Sequence, residues 1–216
     1  MTCIYRAAAR PLRVAVRGVA RAMVGVTGLA AVGLARAPAP GSAQESALVV
    51  EARGGFAIPV GSFATGSEPA EGTEAGASFG VTLGLAGGGL WTPYVGFSQH
   101  RFGCEDAGCA SDGRYVATGF QAGLRLIPLP GSSVLPWLSV GAITTHVEAG
   151  DLGAANAGVS DLGVGGEVGV GVHIGAASQI ALNPGARFVA VNATLPDGTN
   201  LRMRYLVADV AIVISF

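Results

Sequence analysis

The residues best suited to proton transfer are His100, His146 and His173, the only histidines in the chain. Ser98 stands two residues before His100, on the same face of any extended segment that holds both. Two residues of strand separate side chains by about 7 Å, and a Ser–His–acid set works only within direct hydrogen-bond reach. No catalytic set is therefore expected. Cys104 and Cys109, in the polar stretch CEDAGC, suit a small disulfide ring in an oxidising compartment. So short a loop contributes about 2 kcal/mol, which fixes its shape more than it holds a fold. As metal ligands the two cysteines lack both the CxxC spacing and a second pair, so neither metal nor cofactor is expected. The run GVGGEVGVG from Gly163 to Gly171 lacks the Gly-x-Gly-x-x-Gly spacing of a phosphate loop, and no helix follows it. PDGTN at 196–200 is turn chemistry, with a calcium contact as the alternative.

Six charges need a different account: Glu51, Arg53, Arg125, Glu167, Arg187 and Asp209 share their face with glycine in segments that alternate with period two. A lone charge in an enclosed space is costly, and three acids against three bases can balance. Glu167 is expected to pair with Arg187 on the adjacent strand, and Asp209 with Arg53 where the last strand meets the first. Arg125 joins either set. Such a network plugs a narrow lumen and fixes strand register. The alternative is a gated path for protons or ions along the same residues.

Those residues must be positioned by strands. From Leu48 onward eight alternating segments are read at 48–60, 77–86, 90–102, 114–127, 134–147, 161–174, 179–192 and 203–216. Most run 10 to 14 residues, longer than the usual soluble strand, and suited to a tilted bilayer crossing. In the sixth, Leu162, Val164, Val168, Val170, Val172 and Ile174 oppose Gly163, Gly165, Glu167, Gly169, Gly171 and His173. The fourth sets Phe120 and Leu124 against Gln121, Gly123 and Arg125, and the seventh sets Leu182 and Phe188 against Asn183, Gly185 and Arg187. Bulky aliphatics on one face with glycine and charge on the other reverse the pattern of a small soluble barrel, whose interior is apolar. Links near 87–89, 128–133 and 175–178 are short, whereas 61–76, 103–113, 148–160 and 193–202 are long. The long ones carry Glu68, Glu71, Glu74, Glu105, Asp106, Asp112, Asp151 and Asp197. Trp91, Tyr94 and Trp137 are expected near the interface at the short-turn end; parity alone leaves open whether Tyr94 or Trp137 floors the lumen instead.

Glycine is 35 of 216 residues, charged residues are 12%, and lysine is absent. Positive mean hydropathy suggests membrane helices, yet past the N-terminus no 18-residue apolar run is free of charge and glycine. Residues 1–43 read as a cleaved secretory signal. Arg6, Arg10, Arg13, Arg17 and Arg21 form its basic region, Ala22 to Ala35 its apolar core, and cleavage is expected after Ala43. A retained anchor is the alternative, and the true start could be near Met23. Six of the 13 arginines and none of the 14 acids lie in this segment, which leaves residues 44–216 with 7 bases and 14 acids. So acidic a remainder is a poor nucleic-acid binder.

The chain ends YLVADVAIVISF, with Leu206, Ala208, Val210, Ile212, Ile214 and Phe216 on one apolar face. This ending resembles the C-terminal assembly signal of bacterial outer-membrane barrels, with Phe216 as its last residue. Together with the strand count and loop alternation, residues 44–216 resemble the small outer-membrane barrels of the OmpA transmembrane-domain and OmpX type. The resemblance implies an all-β, eight-stranded antiparallel up-and-down transmembrane β-barrel with both termini in the periplasm and the long acidic loops outside. It implies outer-membrane lipid and the barrel assembly machinery as partners, no nucleic acid, and a monomer. Full-length OmpA-type proteins continue into a peptidoglycan-binding domain; here the chain stops at its last strand, so cell-wall anchoring is not implied.

The expected function is structural or a surface interaction carried by the acidic loops. A narrow channel with a charged lumen is the first alternative. A lipid-modifying enzyme is the second, although the His-x-Ser pair of outer-membrane lipid A deacylases is missing. A soluble exported barrel binding an apolar ligand is the third; it would put the apolar side chains inside and turn the glycine-rich charged face to water.

Overall fold

The computed structural model describes residues 47–60, 73–86, 90–104, 114–127, 134–150, 158–175, 179–196, 198 and 200–216. The signal read over 1–43, Cys109 and every loop acid above except Glu74 lie outside these residues.

Eight long strands form the wall: β1 (Ala47–Pro59), β2 (Gly76–Ala86), β3 (Trp91–Cys104), β4 (Arg114–Leu126), β5 (Val134–Gly150), β6 (Gly163–Ile174), β7 (Ile180–Thr194) and β8 (Asn200–Ser215). Each pairs antiparallel with its neighbours in sequence. β8 closes on β1, with Glu51 opposite Val213 and Phe56 opposite Ala208. Two dipeptides, Thr73–Glu74 and Gly158–Val159, extend the pairing of β3 and β5 at the long-loop end. The fold is therefore a closed eight-stranded antiparallel barrel, with no free sheet edge to cap.

Period-two alternation sets the facing of every strand. In β8 the odd positions from Leu201 to Val213 are buried and the even positions exposed. Val210, Ile212 and Phe216 look outward, as do Val164, Val168 and Val170 on β6 and Leu83 and Leu85 on β2. The eleven positions from Leu206 to Phe216 rise roughly 26 Å at ~3.4 Å per residue and a tilt of ~40°. That matches the height of an outer-membrane apolar band, about 25 Å.

The alternation inverts toward the long loops. There Gln99, Arg101, Arg114, His146, Glu148, Asn192, Arg202 and Arg204 face outward. Inside at that end lies an apolar cluster including Phe102, Ile143, Val147, Val191, Leu201 and Met203, with Tyr205 at its lower edge. The expectation of a glycine-and-charge interior holds only for the other part of the lumen. The tips carry the pattern of a water-soluble barrel because water, not hydrocarbon, is their outer solvent. Five phenylalanines, Phe56, Phe79, Phe97, Phe120 and Phe188, face outward below these tips. Phe97 packs at 6.5 Å from Phe79 and 5.8 Å from Phe120, ring centre to ring centre.

Candidate functional site: the filled lumen

All six charges singled out in the sequence point inward, and five of them are fully buried. Glu51 is the hub, 2% exposed. Arg125 grips its carboxylate with both terminal nitrogens, at 2.8 and 3.2 Å. Arg187 reaches it at 3.3 Å from β7, two strands away, and the Asn183 side-chain amide donates to it at 3.0 Å. Arg53 stands 4.0 Å away. A carboxylate taken out of water is tolerable when its lone pairs are filled in this manner.

The pairing differs from the expected one. Arg187 donates to Asp209 and to Glu51, not to Glu167. Glu167 accepts instead from the Tyr94 hydroxyl at 2.7 Å, across the lumen. Asp209 and Arg53 do meet, but at 3.9 Å, while Arg53 donates to Gln121 at 2.7 Å and to Thr82 at 3.3 Å. Arg187 stands opposite Gly169 and Val207, so both acids are diagonal to it and register alone does not choose between them. The phenol arriving from β3 occupies Glu167 and leaves Arg187 to Asp209.

Two aromatics fix this arrangement, and both point inward. Trp137 is 1% exposed, and the guanidinium carbons of Arg125 and Arg187 lie 4.8 and 5.5 Å from its ring centre. Cation–π attraction is strongest for a desolvated pair such as these. The indole lies over Gly171 and Gly185, which are cross-strand neighbours in one row with it. A Cβ on either glycine would stand 2.5 Å from the Trp137 ring. Likewise a Cβ on Gly123 or Gly141 would stand 2.6 or 2.8 Å from the Tyr94 hydroxyl. These four glycines make room for two aromatics, while Gly80 and Gly169 lie against the long side chains of Arg53 and Arg187. Of the three aromatics expected at the interface, Trp91 alone faces outward. Tyr94 shares parity with Ser98 and His100, and Trp137 with Ser139 and Gly141; this signal was present in the sequence.

His100 bonds Ser78 at 2.9 Å, opposite it on β2, rather than Ser98 on its own strand. Its ring packs 5.0 Å from that of Tyr205. His173 lies 2.6 Å from the Asn183 side-chain oxygen, so it joins the charged layer through Asn183 and Glu51. His146 faces outward, near the Ser160 carbonyl at 3.2 Å. The three histidines are thus in three separate places. Among the described residues no group of three His, Cys, Asp or Glu could hold a metal. The backbone of Cys104 ends β3.

The lumen is filled in layers. Small and medium apolar side chains, Leu135, Ala181 and Val213, lie near the short-turn end. The charged layer around Trp137 follows, and the apolar cluster of Phe102, Ile143, Leu201, Met203 and Tyr205 closes the long-loop end.

No protein-family model matches the chain, and no curated protein matches it in sequence. Its structure is similar to that of Neisserial surface protein A, with a TM-score of 0.61 at 16% identity over 80% of this chain and all of that one. Lower scores relate it to the outer-membrane protein AlkL (0.48, 13% identity, 84% of this chain and 95% of that one) and to OprG from Pseudomonas aeruginosa (0.46, 15%, 79% and 97%). The fold is that of the small outer-membrane β-barrels.

Proposed function

We propose that the chain is an integral outer-membrane protein whose barrel neither conducts nor catalyses, and serves as a rigid mount for long loops at the cell surface. The observation that carries this is the doubly filled lumen: a charged layer clamped on Trp137, then an apolar layer packed around Met203 and Tyr205. An ion crossing the first layer would have to break several buried ion pairs, and crossing the second would strip its water. The likeness in fold to Neisserial surface protein A supports the placement.

On this reading the wall partner is outer-membrane lipid, the assembly machinery reads Phe216, and the protein is a monomer. Phe216 is exposed on the lipid face, and its backbone amide donates to Leu48 at 2.9 Å, which completes the seam. The acidic loops would then carry any contact with ligands or other cells. A catalytic role is disfavoured because Ser78, Ser98 and His100 are each no more than 4% exposed inside the lumen.

The test is planar-bilayer recording of the purified barrel in molar salt, together with fractionation and gel mobility before and after boiling. A heat-shifted species in the outer-membrane fraction, with no conductance steps, is expected. Steady single-channel steps would replace this reading with the charged-lumen channel. A soluble periplasmic protein without a heat shift would remove both.

A further inference from the structure

Residues 44–216 hold seven basic residues, all arginine, and their distribution is not even. Arg53, Arg125 and Arg187 are in the lumen; Arg101, Arg114, Arg202 and Arg204 all face outward on the strand tips at the long-loop end. The short-turn end has no outward base. Arg101 donates to Gln99 at 3.3 Å, and Arg101 and Arg114 share their part of the wall with the exposed acids Glu74 and Glu148. Arg202 and Arg204 are differently placed. They sit on one face of β8, about 7 Å apart along the strand, and neither makes an ion pair with another described residue.

Across from them on β7, Asn192 pairs with Arg202 and the small Ala190 with Arg204. An open groove runs here, lined by Asn192, Thr194, Asn200 and the two arginines, with no carboxylate among its described lining residues. Directly below, the wall turns apolar: Leu206 pairs with Phe188 on one side and Ile58 on the other, and all three are exposed. Two guanidinium groups with no ion-pair partner among the described residues, over an aliphatic and aromatic wall, match one kind of molecule, an anionic head on acyl chains. Guanidinium forks bind phosphate oxygens bidentately.

We propose that Arg202 and Arg204, with Asn192, form a binding site on the barrel's outer wall for the phosphate of a phosphorylated glycolipid, whose acyl chains lie on Leu206, Phe188 and Ile58. The site rests on the proposed orientation, with the long loops in the phosphate-rich outer leaflet. It ties one lipid to one height and one side of the barrel.

The experiment is native mass spectrometry of the folded protein, extracted in detergent and titrated with diphosphoryl lipid A or with the same lipid after dephosphorylation. One diphosphoryl lipid A is expected per barrel, released as salt rises. Arg202→Gln with Arg204→Gln should weaken it about thirtyfold, taking the usual contribution of two cationic residues at an anionic surface. Arg101→Gln with Arg114→Gln should change it less than threefold. Neither of the first two side chains holds the barrel, so the heat-shifted gel mobility should stay as in the unaltered protein. Asn192→Glu, a carboxylate set opposite Arg202, should weaken binding by itself. The proposal is overturned if the dephosphorylated lipid binds equally well, or if the Arg202 and Arg204 variant binds as the unaltered protein does. Displacement of the lipid by inorganic phosphate alone would also overturn it, because the site would then take the free ion and need no acyl wall. Micellar binding does not depend on orientation, so protease access to the long loops in whole cells tests the orientation separately.

Discussion

Glu51 shows how much rests on one side chain: three arginines and Asn183 converge on a single carboxylate. Breaking a buried pair leaves the partner charge uncompensated, which commonly costs about 3–5 kcal/mol. Glu51→Gln should lower unfolding stability in urea by that order, and more than Glu167→Gln, whose main partner is the neutral Tyr94 hydroxyl. A double-mutant cycle sharpens the point. Glu51 with Arg125 should show a coupling energy well above that of Glu167 with Arg187, because only the first pair is in direct contact. Equal couplings would mean that the sequence-based pairing was right after all. The inward facing of these six residues was legible, because in a strand parity decides it. Their partners were not, since two diagonal acids compete for Arg187 and the choice is made by a phenol far away in sequence. Trp137 was half legible: its parity was available, but its clamp on two arginines arises only where side chains of β4, β5 and β7 meet in the lumen.

At the scale of the strand, glycine spacing and aromatic bulk are matched across neighbours. Gly171 and Gly185 form one row with Trp137, so Gly171→Ala or Gly185→Ala should destabilise by about 1–3 kcal/mol through overpacking. The same Gly185→Ala change placed in a Trp137→Leu background should cost much less, and urea titration of the four proteins checks it. Strand positions were legible where one face is Val or Ile and the other Gly, as in β6. They blurred in β7 beyond Phe188, where Val189, Val191 and Ala193 point inward and the outer face is only mildly polar. Contrast between faces, not propensity, is what makes a strand readable, and the contrast fades where the outer solvent changes. For the same reason a charge is tolerated by height rather than by strand. Val210→Arg, within the lipid belt, should cost about 2–4 kcal/mol. Arg204→Leu, six residues higher, should leave folding nearly unchanged in the same unfolding measurement.

For the whole molecule, the described strands close into one wall, and their inward side chains pack its lumen. The strand count, the closure of β8 on β1 and the alternation of long and short links were all present in the sequence. The apolar cluster at the long-loop end was not, because its residues come from β1, β3, β4, β5, β7 and β8 and from inward positions that look like ordinary aliphatic strand. The exchange of inside and outside polarity along each strand has a mechanical consequence. Lengthwise, the barrel is a float with a waterline: below Leu206 it wants hydrocarbon, and above Arg204 it wants water. In a bilayer thinner than its belt, the protein can only expose aliphatic wall or pinch the lipid, and in a thicker one it must drag arginines down. Its stability across phosphatidylcholine bilayers of graded chain length should therefore peak at one thickness and fall more steeply on the thick side, so the height of a single pair of residues selects the membrane in which this protein rests.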